Sequence, residues 1–334
     1  MTAPLIAITQ GDACGIGPET ILQAWARGAV PRGVVLGHRA VMQRALDALC
    51  GAHPGDAALA ALRLLDWTPG EGAAALEGLA PHQVPVWTVP GPWPHPDALL
   101  AACPWGQISA AAGDLAHRAI AAGVQLCLDG TAQALVTAPI HKEALARAGV
   151  NFPGHTEMLA RYAQPDSHLP PLPVRMMLAN EALRTVLVTV HVALREAIAL
   201  VTEEAVLDAI LQAHRSAPLW GQARPRIAVA GLNPHAGEGG LFGHEETDII
   251  APAIARARAA GVDASGPYAG DTVFMRARHA PPEHPGEFDV VIAMYHDQGL
   301  IPVKYMGLEQ GVNVTLGLPF LRTSPDHGTA FDLA

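Results

Sequence analysis

No stretch of about 18 consecutive apolar residues occurs in this 334-residue chain, so no segment reads as a membrane span. The N-terminal MTAPLIAITQGD lacks a basic start and a long apolar centre, so it does not read as a signal peptide. The cytoplasm is the expected compartment. No CxxC pair occurs among the four cysteines, Cys14, Cys50, Cys103 and Cys127, which therefore read as reduced thiols rather than a disulfide framework. No block of Lys or Arg occurs either. With 21 basic against 31 acidic residues the net charge is −10, which excludes phosphate-backbone binding as the main task. A local basic cluster could still hold one small anion. There is no internal repeat.

Charged residues make up only 16% of the chain and hydrophobic ones 50%, enough apolar material for a core and too little charge for disorder. The 33 glycines and 29 prolines make it loop-rich, yet short of the roughly 25–30% that marks low complexity. At one domain per roughly 100–200 residues, the length fits two domains or one large α/β unit.

Short apolar runs alternate with Ala-rich helical stretches. Strands are predicted at Leu5–Thr9, Val34–Gly37, Ala134–Thr137, Val174–Leu178, Arg184–Val190, Arg226–Gly231 and Asp289–Met294. Helices are predicted at Pro18–Arg27, Arg39–Leu49, Ile108–Ala122, Glu203–His214 and Glu245–Ala260. Pro18 suits the first turn of a helix, and Thr202 before Glu203 and Glu204 reads as a cap followed by acids. Alternation of this kind predicts α/β layers around a largely parallel sheet. The Pro-, Gly- and Trp-rich stretch Thr68–Pro104, together with Gln164–Pro173 and Arg278–Gly286, reads as loop.

Ligands of open α/β sheets bind beyond the carboxyl ends of the strands. Four strand runs each deliver a histidine there: LVTV leads to His191, IAVAGL to Asn233-Pro234-His235, VVIAMY to His296-Asp297, and ALVTAPI to His141-Lys142. Imidazole suits Zn²⁺, Co²⁺, Ni²⁺ or Fe²⁺, and three imidazoles with an open position make a catalytic metal site. A lone histidine after a strand is ordinarily a hydrogen-bonding loop residue, so the weight lies on the repetition. HExxH is absent, which removes a zinc-protease reading. The glycine run from Gly11 to Gly17 is not GxGxxG, because position 20 is Thr. No Tyr-x-x-x-Lys pair accompanies it, so a short-chain dehydrogenase is excluded. The run equally suits a tight strand-to-helix turn. Gly237-Glu-Gly-Gly240 offers backbone N–H groups beside His235. Thr156, in Gly154-His155-Thr156-Glu157, suits a helix cap better than an anion contact at the helix start. Lys304, Asn313 and Arg322 lie nine residues apart and could hold a small phosphate or carboxylate, although each alone reads as surface charge or polarity.

Together these motifs resemble the 4-hydroxythreonine-4-phosphate dehydrogenase family of pyridoxal phosphate biosynthesis. The matching segments are GDACGIGPE (11–19), VTAPIHKEAL (136–145), FPGHTEML (152–159), GLNPHAGEGG (231–240), GDTVF (270–274), MYHDQGLIPVKY (294–305) and GVNVTLGLPFLRTSPDHGTAFDLA (311–334). The chain departs from the family at Ala13-Cys14, where Pro-Ala is usual, and the family pattern runs on past Ala334. The resemblance implies a two-domain α/β/α architecture like that of isocitrate and isopropylmalate dehydrogenases. It places a cofactor-side domain at 1–128 plus 306–334, and a metal, substrate and dimerisation domain at 129–305. It implies a divalent metal (Zn, Mg or Co) on His191, His235 and His296, with ligands from both subunits of a homodimer. Substrate contacts would come from His155, Thr156, Lys304, Asn313 and Arg322. His327, Gly328, Thr329 and Ala330 resemble an adenosine-side loop for NAD or NADP. Asp271 and Asp297 are candidates for orienting the histidines or moving a proton, and Asn233 is a candidate for supporting the site.

The implied reaction is NAD-dependent oxidation of the C3 hydroxyl of 4-phosphooxy-L-threonine, then loss of CO₂ to give 3-amino-2-oxopropyl phosphate. The substrate is thus a small phosphorylated hydroxy amino acid, with no nucleic acid or membrane involved. A paralogue acting on threonate or erythronate 4-phosphate would use nearly the same residues. A metal-dependent phosphatase or hydrolase, using the histidines to activate water, is the more distant alternative, and a non-catalytic phosphometabolite-binding module comes last.

Overall fold

The computed structural model describes residues 3–93, 95–152, 154–164, 166, 168–307 and 310–334. The chain forms two compact units, Met1–Leu172 with Leu318–Ala334, and Pro173–Gly317. Both are mixed α/β. These units divide near 172 and 317, against the approximate 128 and 305 read from the sequence. Segment 129–172 belongs with the N-terminus because its strand pairs there, and 306–317 belongs to the second unit because it supplies a strand to that unit.

In the first unit, β1 (Ile6–Thr9), β2 (Gly33–Gly37), β3 (Arg63–Asp66), β4 (Gln83–Thr88) and β5 (Ala134–Thr137) are joined by a strand from the end of the chain, β12 (Leu321–Pro325). Their order is β3-β4-β2-β1-β5-β12, and every pairing is parallel. β2 is buried at all five positions, the continuous apolar pattern of a parallel strand covered on both faces. Helix Ala110–Leu128 packs on β1, β2 and β5, and the Ser109 hydroxyl caps it by accepting from the Ala111 and Ala112 N–H groups at 3.1 and 3.3 Å. The core gathers Ile8, Leu22, Trp25, Val35, Met42 and Val86.

The second unit holds β6 (Arg175–Ala179), β7 (Arg184–Leu187), β8 (Ile227–Ala230), β9 (Ala264–Tyr268), β10 (Val290–Ala293) and β11 (Val312–Leu316). The order is β11-β6-β7-β10-β8-β9. β7, β10, β8 and β9 run parallel, and β6 is antiparallel to both neighbours. β8 and β10 are fully buried. Thr202 caps helix Glu203–Ser216 as expected, accepting from the Ala205 N–H at 3.2 Å.

All seven predicted strands and five predicted helices are present; Ala134–Thr137 keeps its ends and the others shift at one end or both. One helix changes character: Glu245–Ala260 is a π turn at Glu246–Ile250 leading into an α-helix at Ala251–Ala259. Pro252 has no N–H to give to the ladder, which accounts for the widened turn before it. Thr68–Pro104 is not simply loop, since it contains β4 and helix Pro96–Ala102. The described parts of Gln164–Pro173 carry no helix or strand; residues 165 and 167 lie outside the described residues. All four cysteines are free. Among the described residues no helix is long and apolar enough to cross a membrane.

Candidate functional site

In the second unit, the chain beyond β7 stays beside the chain beyond β10. Val188 N–H donates to the Ala293 carbonyl at 2.9 Å, and the Thr189 hydroxyl donates to the Met294 carbonyl at 2.8 Å. This extension carries His191 and His296 to one place, with ring centroids 5.5 Å apart and planes 46° apart. His296 opens helix His296–Tyr305, and its Nδ1 donates to Asp297 Oδ1 at 2.7 Å. That bond fixes the tautomer and leaves Nε2 as the open lone pair, the usual way a carboxylate orients a ligating imidazole. A cavity of about 280 Å³ is lined by Thr189, Val190, His191, Tyr295, His296 and Asp297.

His235 lines a second cavity of about 700 Å³ with Asn233, Asp271, Tyr295, Asp297 and Tyr305. Tyr295 and Asp297 border both cavities. Among the described residues no three His, Cys, Asp or Glu side chains gather closely enough to hold a metal ion. One chain thus brings two of the three expected imidazoles together and leaves His235 apart. The pair fits a divalent ion by donor type and by the oriented Nε2 of His296, while a third ligand must come from outside that pair.

His235 sits on an unusual backbone. Residues 235 to 240 all have positive φ, from 43° at Glu238 to 98° at Gly240. Glycine tolerates this, but His235, Ala236 and Glu238 each carry a cost of roughly 1–2 kcal/mol. The turn is held from below by Glu246, which is 3% exposed. Glu246 Oε1 accepts the N–H groups of Leu232 and Asn233, both at 2.7 Å, and Oε2 accepts Asn233 Nδ2 at 3.0 Å. Asn233 Nδ2 also donates to Glu245 Oε2 at 2.6 Å. The amide of Asn233, a candidate for supporting the site, is thus committed to two carboxylates. Asp271 is exposed in the cavity with His235. Lys304 lies in the last turn of helix His296–Tyr305, exposed. Asn313 lies on β11 opposite Leu178, with its buried Oδ1 lacking a hydrogen-bond partner.

In the first unit, Arg322 on β12 is 2% exposed, and its Nη2 donates to Thr137 Oγ1 at 2.6 Å. Burial pushes its pKa down to about 9, so it remains charged at neutral pH. His155 begins helix His155–Tyr162. Burial, and then the Arg322 charge, hold its imidazole well below the ordinary 6.5. Its Nε2 is shut off from solvent without a partner. A buried guanidinium beside a neutral imidazole suits a phosphate or carboxylate. Thr156 does not cap the helix; it lies within the first turn behind Gly154.

The segment His327–Ala330 docks on the glycine turn. Thr329 carbonyl accepts the Ile16 N–H at 3.1 Å, and a Cβ on Gly15 would stand 2.6 Å from that carbonyl. Thr329 is buried, whereas His327 and Gly328 are exposed. Ala330 takes a φ of 46°. The fourth strand-end histidine, His141, stacks on Phe331 with ring centroids 4.9 Å apart, so it has a packing role in this unit. Sequence reasoning missed Glu246, Thr137 and Tyr295. Only the Glu245-Glu246 pair after the glycine loop hinted at the first.

A family model described as pyridoxal phosphate biosynthetic protein PdxA matches residues 29–334. The chain is 49% identical over 331 residues to the 4-hydroxythreonine-4-phosphate dehydrogenase of Beijerinckia indica subsp. indica, covering 98% of this chain and 88% of that relative. It is 41% identical to the D-threonate 4-phosphate dehydrogenase of Salmonella typhimurium, covering 100% and 94%. The crystal structure of 4-hydroxythreonine-4-phosphate dehydrogenase from Klebsiella pneumoniae superimposes with a TM-score of 0.82 at 40% identity, covering 99% and 93%.

Proposed function

Since the chain belongs to the PdxA family of pyridoxal phosphate biosynthetic proteins, we propose that it is a cytoplasmic dehydrogenase oxidising the C3 hydroxyl of 4-phosphooxy-L-threonine. The ketone so formed is a β-keto acid, which loses CO₂ to give 3-amino-2-oxopropyl phosphate. The observation that carries this reading is the His191–His296 pair, with His296 oriented by Asp297.

A divalent ion, Zn, Mg or Co, held by His191, His296 and His235 would supply Lewis-acid polarisation of the hydroxyl, and NAD or NADP would supply the hydride acceptor. Because His235 stands apart from the pair within one chain, the third imidazole is assigned to a second copy in a homodimer. The exposed apolar side chains around these cavities support that assignment. Leu194, lining the first cavity, is 57% exposed, and Ile301 and Tyr305, lining the second, are 63% and 91% exposed, apolar surface that a second copy would cover. In the first unit, Arg322, His155 and Thr156 would bind the phosphate, the guanidinium giving charge and orientation. In the second, Lys304 and Asn313 would make the remaining polar contacts. Asp297, hydrogen-bonded to His296, would orient it, and Asp271, which lines the same cavity as His235, would take a proton. His327, Gly328, Thr329 and Ala330 would receive the adenosine side of the dinucleotide, with open space over Gly328.

The second reading, D-threonate 4-phosphate as substrate, is favoured by the 41% identity to a relative of that name. NADH absorbance decides between them. The protein is mixed with NAD⁺ and either substrate, with added divalent metal, with chelator, and as His235→Ala. Metal-dependent NADH from 4-phosphooxy-L-threonine that collapses in the variant supports the first reading. NADH from threonate 4-phosphate alone supports the second. Phosphate release without NADH on both would move the protein to the hydrolases.

A further inference from the structure

Glu246 belongs to no set of expected ligands, yet it is the most heavily committed carboxylate near the site. Buried and facing the base of the His235 turn, it collects two backbone N–H groups and one side-chain amide. The surroundings are cleared for it. A Cβ on Gly231 would stand 3.0 Å from Oε1, and one on Gly237 would stand 2.8 Å from Oε2. Next to it, a Cβ on Gly243 would meet both Asn233 Nδ2 and Glu245 Oε2 at 2.5 Å. The turn above has three non-glycine residues in left-handed conformation, which persist only where their neighbours over-determine them. The hydrogen bonds at its two ends are long: Ala236 N–H to the Asn233 carbonyl at 3.1 Å, Phe242 N–H to Gly237 at 3.2 Å, and Leu241 N–H to Glu238 at 3.4 Å. The two backbone bonds into Glu246 Oε1, 2.7 Å each, are shorter.

We infer that Glu246 is the positioning residue for His235: its carboxylate clamps the Leu232–Asn233 backbone and thereby sets where the left-handed turn presents the imidazole. The inference rests on the reading of His235 as a metal ligand. The π turn at Glu246–Ile250 points this carboxylate inward while Glu245, one residue earlier, stays half-buried. Glutamine keeps the shape but loses charge. Its amide nitrogen, turned toward the turn, would face a donor where the carboxylate oxygen accepted one.

The test is a double-mutant cycle read by Co²⁺ binding to the full chain, followed by titration calorimetry and visible absorption. Glu246→Gln should weaken Co²⁺ binding about 10–100-fold, as loss of an outer hydrogen-bond partner does, and shift the Co²⁺ absorption toward that of His235→Ala. The same substitution made on top of His235→Ala should cost nothing further, because a residue acting through His235 has nothing left to act on. Glu245→Gln, which leaves the Glu246 contacts in place, should bind Co²⁺ like the parent. An equal penalty from Glu246→Gln in both backgrounds, or none in the parent, overturns the inference. Should Glu246→Gln fail to fold, Glu246→Asp takes its place in the cycle with the same outcomes. If His235→Ala itself binds Co²⁺ as tightly as the parent, the metal reading of His235 falls, and the inference falls with it by a different result.

Discussion

At the residue scale, Arg322 shows how a composition-level reading misleads. As sequence it is one of 21 basic residues in a loop-rich chain and reads as surface. Its strand places it almost wholly out of solvent, hydrogen-bonded to Thr137 and close enough to His155 to depress that imidazole. Replacing it by Lys keeps the charge but loses the planar fork. Losing one charge-assisted hydrogen bond of about 1.5–3 kcal/mol should raise KM for the phosphorylated substrate roughly 10–100-fold. Steady-state kinetics of Arg322→Lys checks this, and an unchanged KM would remove Arg322 from the phosphate site. The buried imidazoles give a pH prediction. His38, His117 and His155 all lie below the ordinary 6.5, with burial the largest cause in each. The fold therefore prefers them neutral, while the unfolded chain takes up protons as pH falls past 6.5. Their contribution is present above that value and is lost progressively below it. Thermal midpoints should drop from about pH 7.5 to about pH 5.5, and His155→Asn should flatten the slope. Placement after strand runs made His141, His191, His235 and His296 visible beforehand, and the family resemblance singled out the last three. The carboxylate under His235 was not visible, because Glu245 and Glu246 look alike until the backbone turns one of them inward.

At the element scale, the strands found from the sequence are those with an uninterrupted apolar run, such as β2, β8 and β10. Those missed carry breakers or polar residues. β9 contains Gly266-Pro267, β4 contains Pro85, and β12 reads Leu-Arg-Thr-Ser-Pro. Helix His296–Tyr305 was hidden in the same way by Gly299 and Pro302. Gly113 in helix Ala110–Leu128 tests packing against propensity. A Gly-to-Ala change inside a helix ordinarily gains about 0.5–1 kcal/mol. At Gly113 the new Cβ would run into the carbonyl of Ala144 in helix Lys142–Arg147. Overpacking of that kind costs about 1–3 kcal/mol and should win. Gly51, in helix Arg39–Ala52, has nothing near its missing Cβ and should show the gain. Urea unfolding of Gly113→Ala and Gly51→Ala should therefore move in opposite directions.

At the scale of the whole molecule, the proposed pairing of two copies makes a plain prediction. Leu194 and Ile198 stand one turn apart, both exposed, on helix Leu194–Leu200 just after His191. Placing Asp at both positions should give a monomer by analytical ultracentrifugation, and Co²⁺ binding should weaken with it. A variant that stays dimeric would move the interface elsewhere. A monomer that binds Co²⁺ as before would show that no ligand crosses between copies. Length alone fits two domains or one large α/β unit and says nothing of where the borders fall. They depend on which strand pairs with which, as when β12 returns to β5, and hydrophobic patterning does not record partners.

That return has a consequence for how the protein is made. The first unit is interrupted in the chain, and the second is continuous. During synthesis the ribosome releases residues 1–172 and then must deliver the whole second unit before β12 emerges. At roughly 5–20 residues per second this delay is on the order of ten seconds. Throughout it, one edge of β5 lacks its neighbour, a bare row of backbone donors and acceptors of the kind that recruits stray strands. The glycine turn likewise waits for Thr329. The unit that begins first is therefore the one completed last, and a nascent-chain chaperone has its longest opportunity on the strand Ala134–Thr137.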